Sequence, residues 1–461
     1  MSATDDAAWT RRLQRLVDVR PHEAAAVAWS WLFFFAVLSA YYVIRPIRDE
    51  MGVAGGVNNL PWLFAGSLTG MLIANPPFAY LVARMPRARF VSWGYRFFAL
   101  NLLVFFALLR SASGDEAVWV GRAFFVWTSV FNMFVVSIFW SVMADVFSPA
   151  QSTRLFGFIG AGGTIGGIAG AAITSWLVGS LGAANLLLVS VVLLEVAALA
   201  ARRLFAAPRT PADDAVARES LEVAIGGSVW DGMRRALTNP YLVNVTLNML
   251  FFTVLTTFLY FQQATIVDAT LTDRVARTRF FANVDLAVNS TELATQMFAS
   301  GRIVRALGVP FALALLPALS IPGFVWLALS PTIPVLMAFQ VFRRSVNYSL
   351  ARPTREMLFT VVPRADRYKA KTFIDTVVYR VGDQIGAWAY APLAAAGAGI
   401  GAVSAAAVVM AIASVVNAIW LGRKMERLET ARAAPDPLAA VPLVVGSWFV
   451  GAAIASAGVP T

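Results

Sequence analysis

The sequence predicts an all-α polytopic membrane protein whose 12 transmembrane helices form two parallel six-helix repeats. Three observations predict it. Of 461 residues, 59% are hydrophobic and 14% charged, with mean hydropathy +0.68. A water-soluble domain averages about 45–50% apolar and about 25% charged. Apolar runs long enough to cross ~30 Å of hydrocarbon recur along most of the chain, and short motifs of the first half return in the second. With no cysteine and a single histidine, His22, the chain cannot form disulfides, thiolate zinc sites, iron–sulfur clusters or multi-histidine metal centres.

Residues 1–23 are polar and carry Arg11, Arg12, Arg15 and Arg20, with Leu13, Leu16 and Val17 on one helical face. A cytosolic surface helix is expected there, with His22 solvated. A signal peptide's short apolar core would follow its positive end at once; here the run 24–44 leads straight into further spans. Hydropathy windows of about 19 residues place spans near 24–48, 60–82, 91–109, 119–143, 155–178 and 183–201. After a polar link come spans near 241–262, 284–300, 311–330, 332–351, 373–396 and 400–421. The expected domains are a cytosolic segment 1–23, a bundle 24–201, a cytosolic loop 202–239, a second bundle 240–422 and a tail 423–461. The uncharged run 438–458 in that tail either forms a thirteenth span or lies against the bundle.

Charge tests this topology. With both ends cytosolic, 28 of the 37 Lys and Arg residues fall in inside segments and 7 in outside segments. The positive-inside rule then predicts a multi-pass protein of the bacterial inner membrane with a cytosolic N-terminus. The same rule accounts for the net charge of +11, so the basicity orients loops in a lipid bilayer rather than binding nucleic acid.

The turn ARMPRARF after the second span matches SGRIVRALG after the eighth, with Arg84 and Arg87 218 residues before Arg302 and Arg305. Arg154, Phe156 and Ile168 match Lys371, Phe373 and Ile385 at an offset of 217. Both copies start on the same side, an arrangement similar to that of major facilitator transporters.

No GxxxxGK[ST] loop, HExxH or GxSxG triad is present, so neither ATP hydrolysis nor enzymatic catalysis is expected and no cofactor is implied. Candidate chemistry lies in charges within the spans, each a functional hypothesis because burying it is costly. The tenth span must continue through Arg343, Arg344 and Asn347: stopping at Val341 would cover about 15 Å, half of the hydrocarbon thickness. Either both arginines snorkel to headgroups, or at least one faces a water-filled cavity and binds an anion. Arg380 and Asp383, three apart, share one face of the eleventh helix, either as a structural ion pair or as one that opens for substrate. Asp285, Asn289, Glu292 and Gln296 form one stripe of the eighth span. That stripe is a hydrogen-bonding seam, or a cavity face in which Glu292 carries a proton or cation. Arg45, Arg48, Asp49 and Glu50 gather at or just beyond the outer end of the first span, as interfacial anchors or as a guanidinium fork for phosphate or carboxylate. In GFIGAGGTIGGIAG, the spacing of Gly162, Gly163, Gly166, Gly167 and Gly170 lets helices approach closely.

YYVIRPIRDE, FWSVMADVF followed by RLFGFIGAG, and NYSLARPTREML with YKAKTFIDTVVYRVGD resemble the ATP:ADP antiporter family over about residues 30–420. That resemblance implies 12 helices, exchange of nucleotides by alternating access, and membrane-embedded cations that hold the phosphates. The chain departs from the family pattern at three places. Arg48 stands where the family usually has lysine, Thr128 where it tends to have an acid, and Asp383 where it often has lysine. Together these readings predict a secondary transporter exchanging nucleotides or related phosphorylated anions, with a single copy as the expected unit. The alternatives are a proton-coupled facilitator for a smaller organic anion or drug-like solute, using Glu292 or Asp383, and a scaffold or receptor that has lost transport.

Overall fold

The computed structural model describes residues 19–207, 229–298, 300–395, 397 and 399–433. The N-terminal surface helix, most of the central link and the apolar run 438–458 lie outside the described residues. Those described are helical almost throughout. The first half comprises α1 (Ala24–Ala54), α2 (Leu60–Arg84), α3 (Arg87–Ser111), α4 (Gly114–Val146) and the rod Pro149–Phe205. Gly182 breaks that rod at φ 77°, ψ 159°, a conformation essentially restricted to glycine. It therefore counts as α5 (149–181) and α6 (183–205). The second half comprises α7 (Pro240–Thr270), α8 (Arg274–Phe298) and α9 (309–329), the part of Ser300–Leu329 beyond a glycine break at Gly308. α10 runs from Ile333–Val346 through a π-helical turn, Asn347–Ala351, into Arg352–Met357. α11 likewise joins Arg364–Phe373 to Tyr379–Ala395 through a π turn at Ile374–Val378, and α12 is Ile400–Ala433. Seven helices among the described residues, the rod Pro149–Phe205 being one, are long and apolar enough to cross a membrane.

Several boundaries differ from the sequence reading for one reason: charge inside a helix lowers the hydropathy window. α1 continues six residues past 48 through Asp49 and Glu50, and α8 starts at Arg274 rather than near 284 because Arg274, Arg277 and Arg279 fill its first turns. α12 extends into the expected tail, to Ala433. Local signals fix the starts. At α5, Ser148 and Gln151 form a reciprocal capping box ahead of Pro149. There Glu23 accepts bonds from Arg154 at 2.8 Å and Gln151 at 3.0 Å, joining the foot of α1 to the foot of α5. At α7, Asn239 accepts from the Tyr241 amide before Pro240.

The two halves repeat each other's packing. α1 lies against α5 as α7 lies against α11, α3 against α6 as α9 against α12, and α2 against α4 as α8 against α10. Between halves, α5 meets α8 and α2 meets α11, the pairing a two-fold relation requires. One apolar core fills the first half around Phe33, Tyr95, Phe131 and Phe139. A second fills the part of the other half nearest the start of α7, around Tyr241, Leu358 and Phe373. A third joins Val53, Leu60, Leu63 and Phe125 of the first half to Phe258, Phe261 and Tyr390 of the second. It sits at the distal end, where α1 and α7 finish.

Candidate substrate site between the halves

α1 carries its charges along one face, because residues three and four apart are neighbours on a helix. Arg45 lies nine residues, about 14 Å, short of the helix end. The sequence reading had put it at the outer boundary; the structure puts it inside the bundle, facing the second half. Its Nη1 is 2.9 Å from Asp285 Oδ1 of α8. Arg344 Nη2 of α10 approaches the same oxygen at 2.8 Å, without hydrogen-bond geometry. Two guanidiniums thus share one buried carboxylate, whose Oδ2 has no hydrogen-bond partner. Arg48 stands 3.5 Å from Asp49, its guanidinium carbon 4.1 Å over the Phe125 ring and its Nε unpartnered. Asp49 also accepts from the Tyr260 hydroxyl of α7 at 3.1 Å. On α11, Arg380 and Asp383 pair at 3.4 Å.

Further contacts between the halves stand beside this cluster and distal to it. Glu50, 2% exposed, takes a two-pronged pair of bonds from Arg274 at 2.8 and 3.2 Å. Ser175 donates to Asn283 at 2.5 Å, Arg279 donates to the Ser175 carbonyl at 3.2 Å, and Trp62 meets Trp388 edge-on at 4.9 Å.

The predicted residues divide. Arg45, Arg48, Asp49, Arg344, Asp285, Arg380 and Asp383 come together between the halves. Asn289 is buried beside Gly167, its Nδ2 unpartnered. Glu292 is half-buried and engaged with neighbours; the Gln296 side chain lies outside the described residues. Arg343, 3% exposed, turns away into the second half, where it donates to Ser320 at 3.2 Å and Thr256 at 3.0 Å. Asn347 accepts from Arg355 at 3.3 Å. The glycines of α5 face α1: a Cβ on Gly162 would stand 2.9 Å from the Trp31 carbonyl oxygen, and one on Gly166 or Gly170 would overlap the carbonyls of Phe35 or Ser39. Thr128, where the family tends to have an acid, is buried and bonds back to Phe124 at 2.7 Å.

Sequence reasoning missed Tyr260, Arg274 and Arg355. A signal existed for the first: Tyr260, Gln262 and Gln263 interrupt an apolar helix, and the glutamines bond to Ser404 and Gln340. Near the start of α11, Lys371 lies 2.8 Å from Glu356 at the end of α10 and 3.5 Å from Asp375. Burial alone would lower its ammonium, but the bond to Glu356 and the two carboxylate charges hold it above its ordinary value.

The described residues therefore form two helical halves with opposing buried charges at their interface, the build of a membrane carrier. The chain belongs to the major facilitator superfamily, whose profile matches residues 25–343; this makes it a multi-pass membrane transporter. Solved structures share the fold at low identity. A bacterial homologue of the human lysosomal transporter Spinster, inward-facing and unoccupied, is 14% identical with TM-score 0.54, covering 91% of this chain and 100% of its own. A D-xylose–proton symporter is 12% identical with TM-score 0.59, over 87% and 97%. A bacterial homologue of the iron transporter ferroportin, inward-facing, is 15% identical with TM-score 0.60, over 86% and 98%. A comparison with curated protein sequences finds no match.

Proposed function

We propose that this transporter exchanges nucleotides or related phosphorylated anions across the bacterial inner membrane by alternating access, with its N-terminus in the cytosol. One observation carries the reading: Arg45, Arg48, Arg344 and Arg380, from α1, α10 and α11, meet at the interface, where among the described residues Asp49, Asp285 and Asp383 pair with them. Phosphate oxygens would draw Arg344 off the shared Asp285 and supply the missing negative charge. Reclosing the empty site would restore under-compensated buried cations, which is costly. A second anion that fills the site removes this penalty, and that favours exchange over uniport. The resemblance of NYSLARPTREML and YKAKTFIDTVVYRVGD to ATP:ADP antiporters supports the substrate class. The arginine bias supports a cytosolic foot for α1, so the closed distal contacts face outward.

The test is uptake of labelled ATP into proteoliposomes preloaded with ADP, with phosphate, or with neither. Uptake that requires internal counter-substrate is the expected result. Absence of uptake under every loading, from protein shown to be folded, would discard ATP as cargo. A second reading has a specific observation in its favour: the Asp383 side chain is 14% exposed and its ion-pair contact with Arg380 is long, 3.4 Å, so that it could carry a proton. Accumulation that follows an imposed pH gradient without counter-substrate, and is lost in Asp383→Asn, would establish proton coupling instead.

A further inference from the structure

Arg343 and Arg355 do not belong to the interface. Both line a cavity of about 20 Å³ inside the second half, between α7, α9, α10 and α12, together with Asn248, Ser320 and Ser414. Among the described residues every hydrogen-bond partner of these two cations is neutral. Arg343 donates to two hydroxyls, Ser320 and Thr256, and so uses two of the five donors a guanidinium offers. Arg355 donates to Asn347 and to the Met249 sulfur at 3.7 Å. The two guanidiniums also share a single aromatic ring: the Phe252 ring centroid lies 5.8 Å from Arg343 and 4.2 Å from Arg355. One ring quadrupole is weak compensation for two charges. The nearby carboxylates, Glu356 and Asp375, are held by Lys371.

An arginine this buried keeps its charge, and a buried charge needs an opposite charge or full hydrogen bonding. Among the described residues neither guanidinium forms an ion pair with a carboxylate, and neither has all its donors engaged. A cavity of this size holds about one water, which could accept a hydrogen bond but brings no negative charge. An ion of similar size brings both. We infer that the second half contains a structural anion site in which a chloride-sized monovalent anion bridges Arg343 and Arg355, with Asn248 and the serines in its wall. This site is separate from the interface cluster and does not depend on what the protein carries. Its placement beside the π turn at Asn347–Ala351 means the anion would pin the irregular part of α10 against α7 and α9.

The experiment follows thermal unfolding of the purified full-length protein in detergent, at fixed ionic strength, as sodium gluconate is replaced by chloride, bromide or sulfate. Chloride and bromide should raise the melting temperature saturably, by about 2–5 °C, while sulfate should match gluconate. Arg343→Gln and Arg355→Gln should each lose the halide response. Because a variant can fail to fold, a bromide-soaked crystal of the unaltered protein gives a second readout: an anomalous peak between the two guanidiniums is expected. Equal melting in gluconate and chloride, a halide response that persists in both variants, or a crystal without that peak would each overturn the site. A larger response to sulfate than to chloride would overturn its size.

Discussion

Arg45 and Arg344 compete for one oxygen of Asp285, and this unequal sharing separates stability from function. Removing the carboxylate leaves two buried cations without a partner; removing one arginine leaves a balanced pair. Asp285→Asn should therefore destabilise the protein by about 3–5 kcal/mol, the usual cost of breaking a buried ion pair from one side. Arg344→Gln should stay within about 1 kcal/mol of the unaltered protein, yet lose anion exchange. Melting temperatures and counterflow on the two variants check this, and equal destabilisation would show that Arg344 is structural. Residue identities in this cluster were legible in the sequence because charges in an apolar span stand out. Their partners were not: Asp285 lies 240 positions from Arg45, and no local pattern links them. Nor could the sequence show that the adjacent Arg343 and Arg344 point to different sites. Successive helical positions differ by about 100° in direction, and which sectors face the interface depends on packing.

At the scale of the element, the glycine run of α5 shows how spacing becomes contact. Gly162, Gly163, Gly166 and Gly170 are where α1 comes closest, its backbone carbonyls or aromatic rings lying where a Cβ would be. Gly160, in the same run, has nothing near it. Gly166→Ala should therefore cost about 1–3 kcal/mol through overpacking. Gly160→Ala should be neutral, or more stable by up to about 1 kcal/mol, because alanine is the better helix former. Thermal unfolding of the pair checks it, and equal effects would contradict the packing. The two π turns were not legible. They fall inside NYSLARPTREML and YKAKTFIDTVVYRVGD, the segments that carry the family resemblance. Each inserts a wider turn next to a key cation, Arg343 and Arg344 before one and Arg380 after the other. Such bulges are frequent at functional sites. Hydropathy windows average over them and report only an apolar helix.

The whole molecule is held at its distal end by contacts between halves: Glu50 with Arg274, Asp49 with Tyr260, and Trp62 with Trp388. In an alternating-access cycle these must part. The chain has no cysteine, so a Trp62→Cys, Trp388→Cys double variant is otherwise free of thiols. A short bifunctional thiol reagent that is cleaved by reductant should couple the two positions in the unloaded protein and stop exchange, and reductant should restore it. Exchange that continues undiminished in fully cross-linked protein would show that this seam does not open.

The sequence by itself determined the solvent, the helix order and the two-fold repeat. Those follow from composition, span length and recurring motifs, which are properties of the chain read in order. It also named most of the charged residues, since a charge among apolar neighbours needs a reason. The tertiary structure decided which charges meet, which share a partner and which are left without one. Those outcomes depend on how helices far apart in sequence pack and on the direction each side chain takes from its helix. It also decided where helices end, because partners from the second half, Arg274 and Tyr260, let α1 continue through the buried Asp49 and Glu50, where hydropathy alone would stop it.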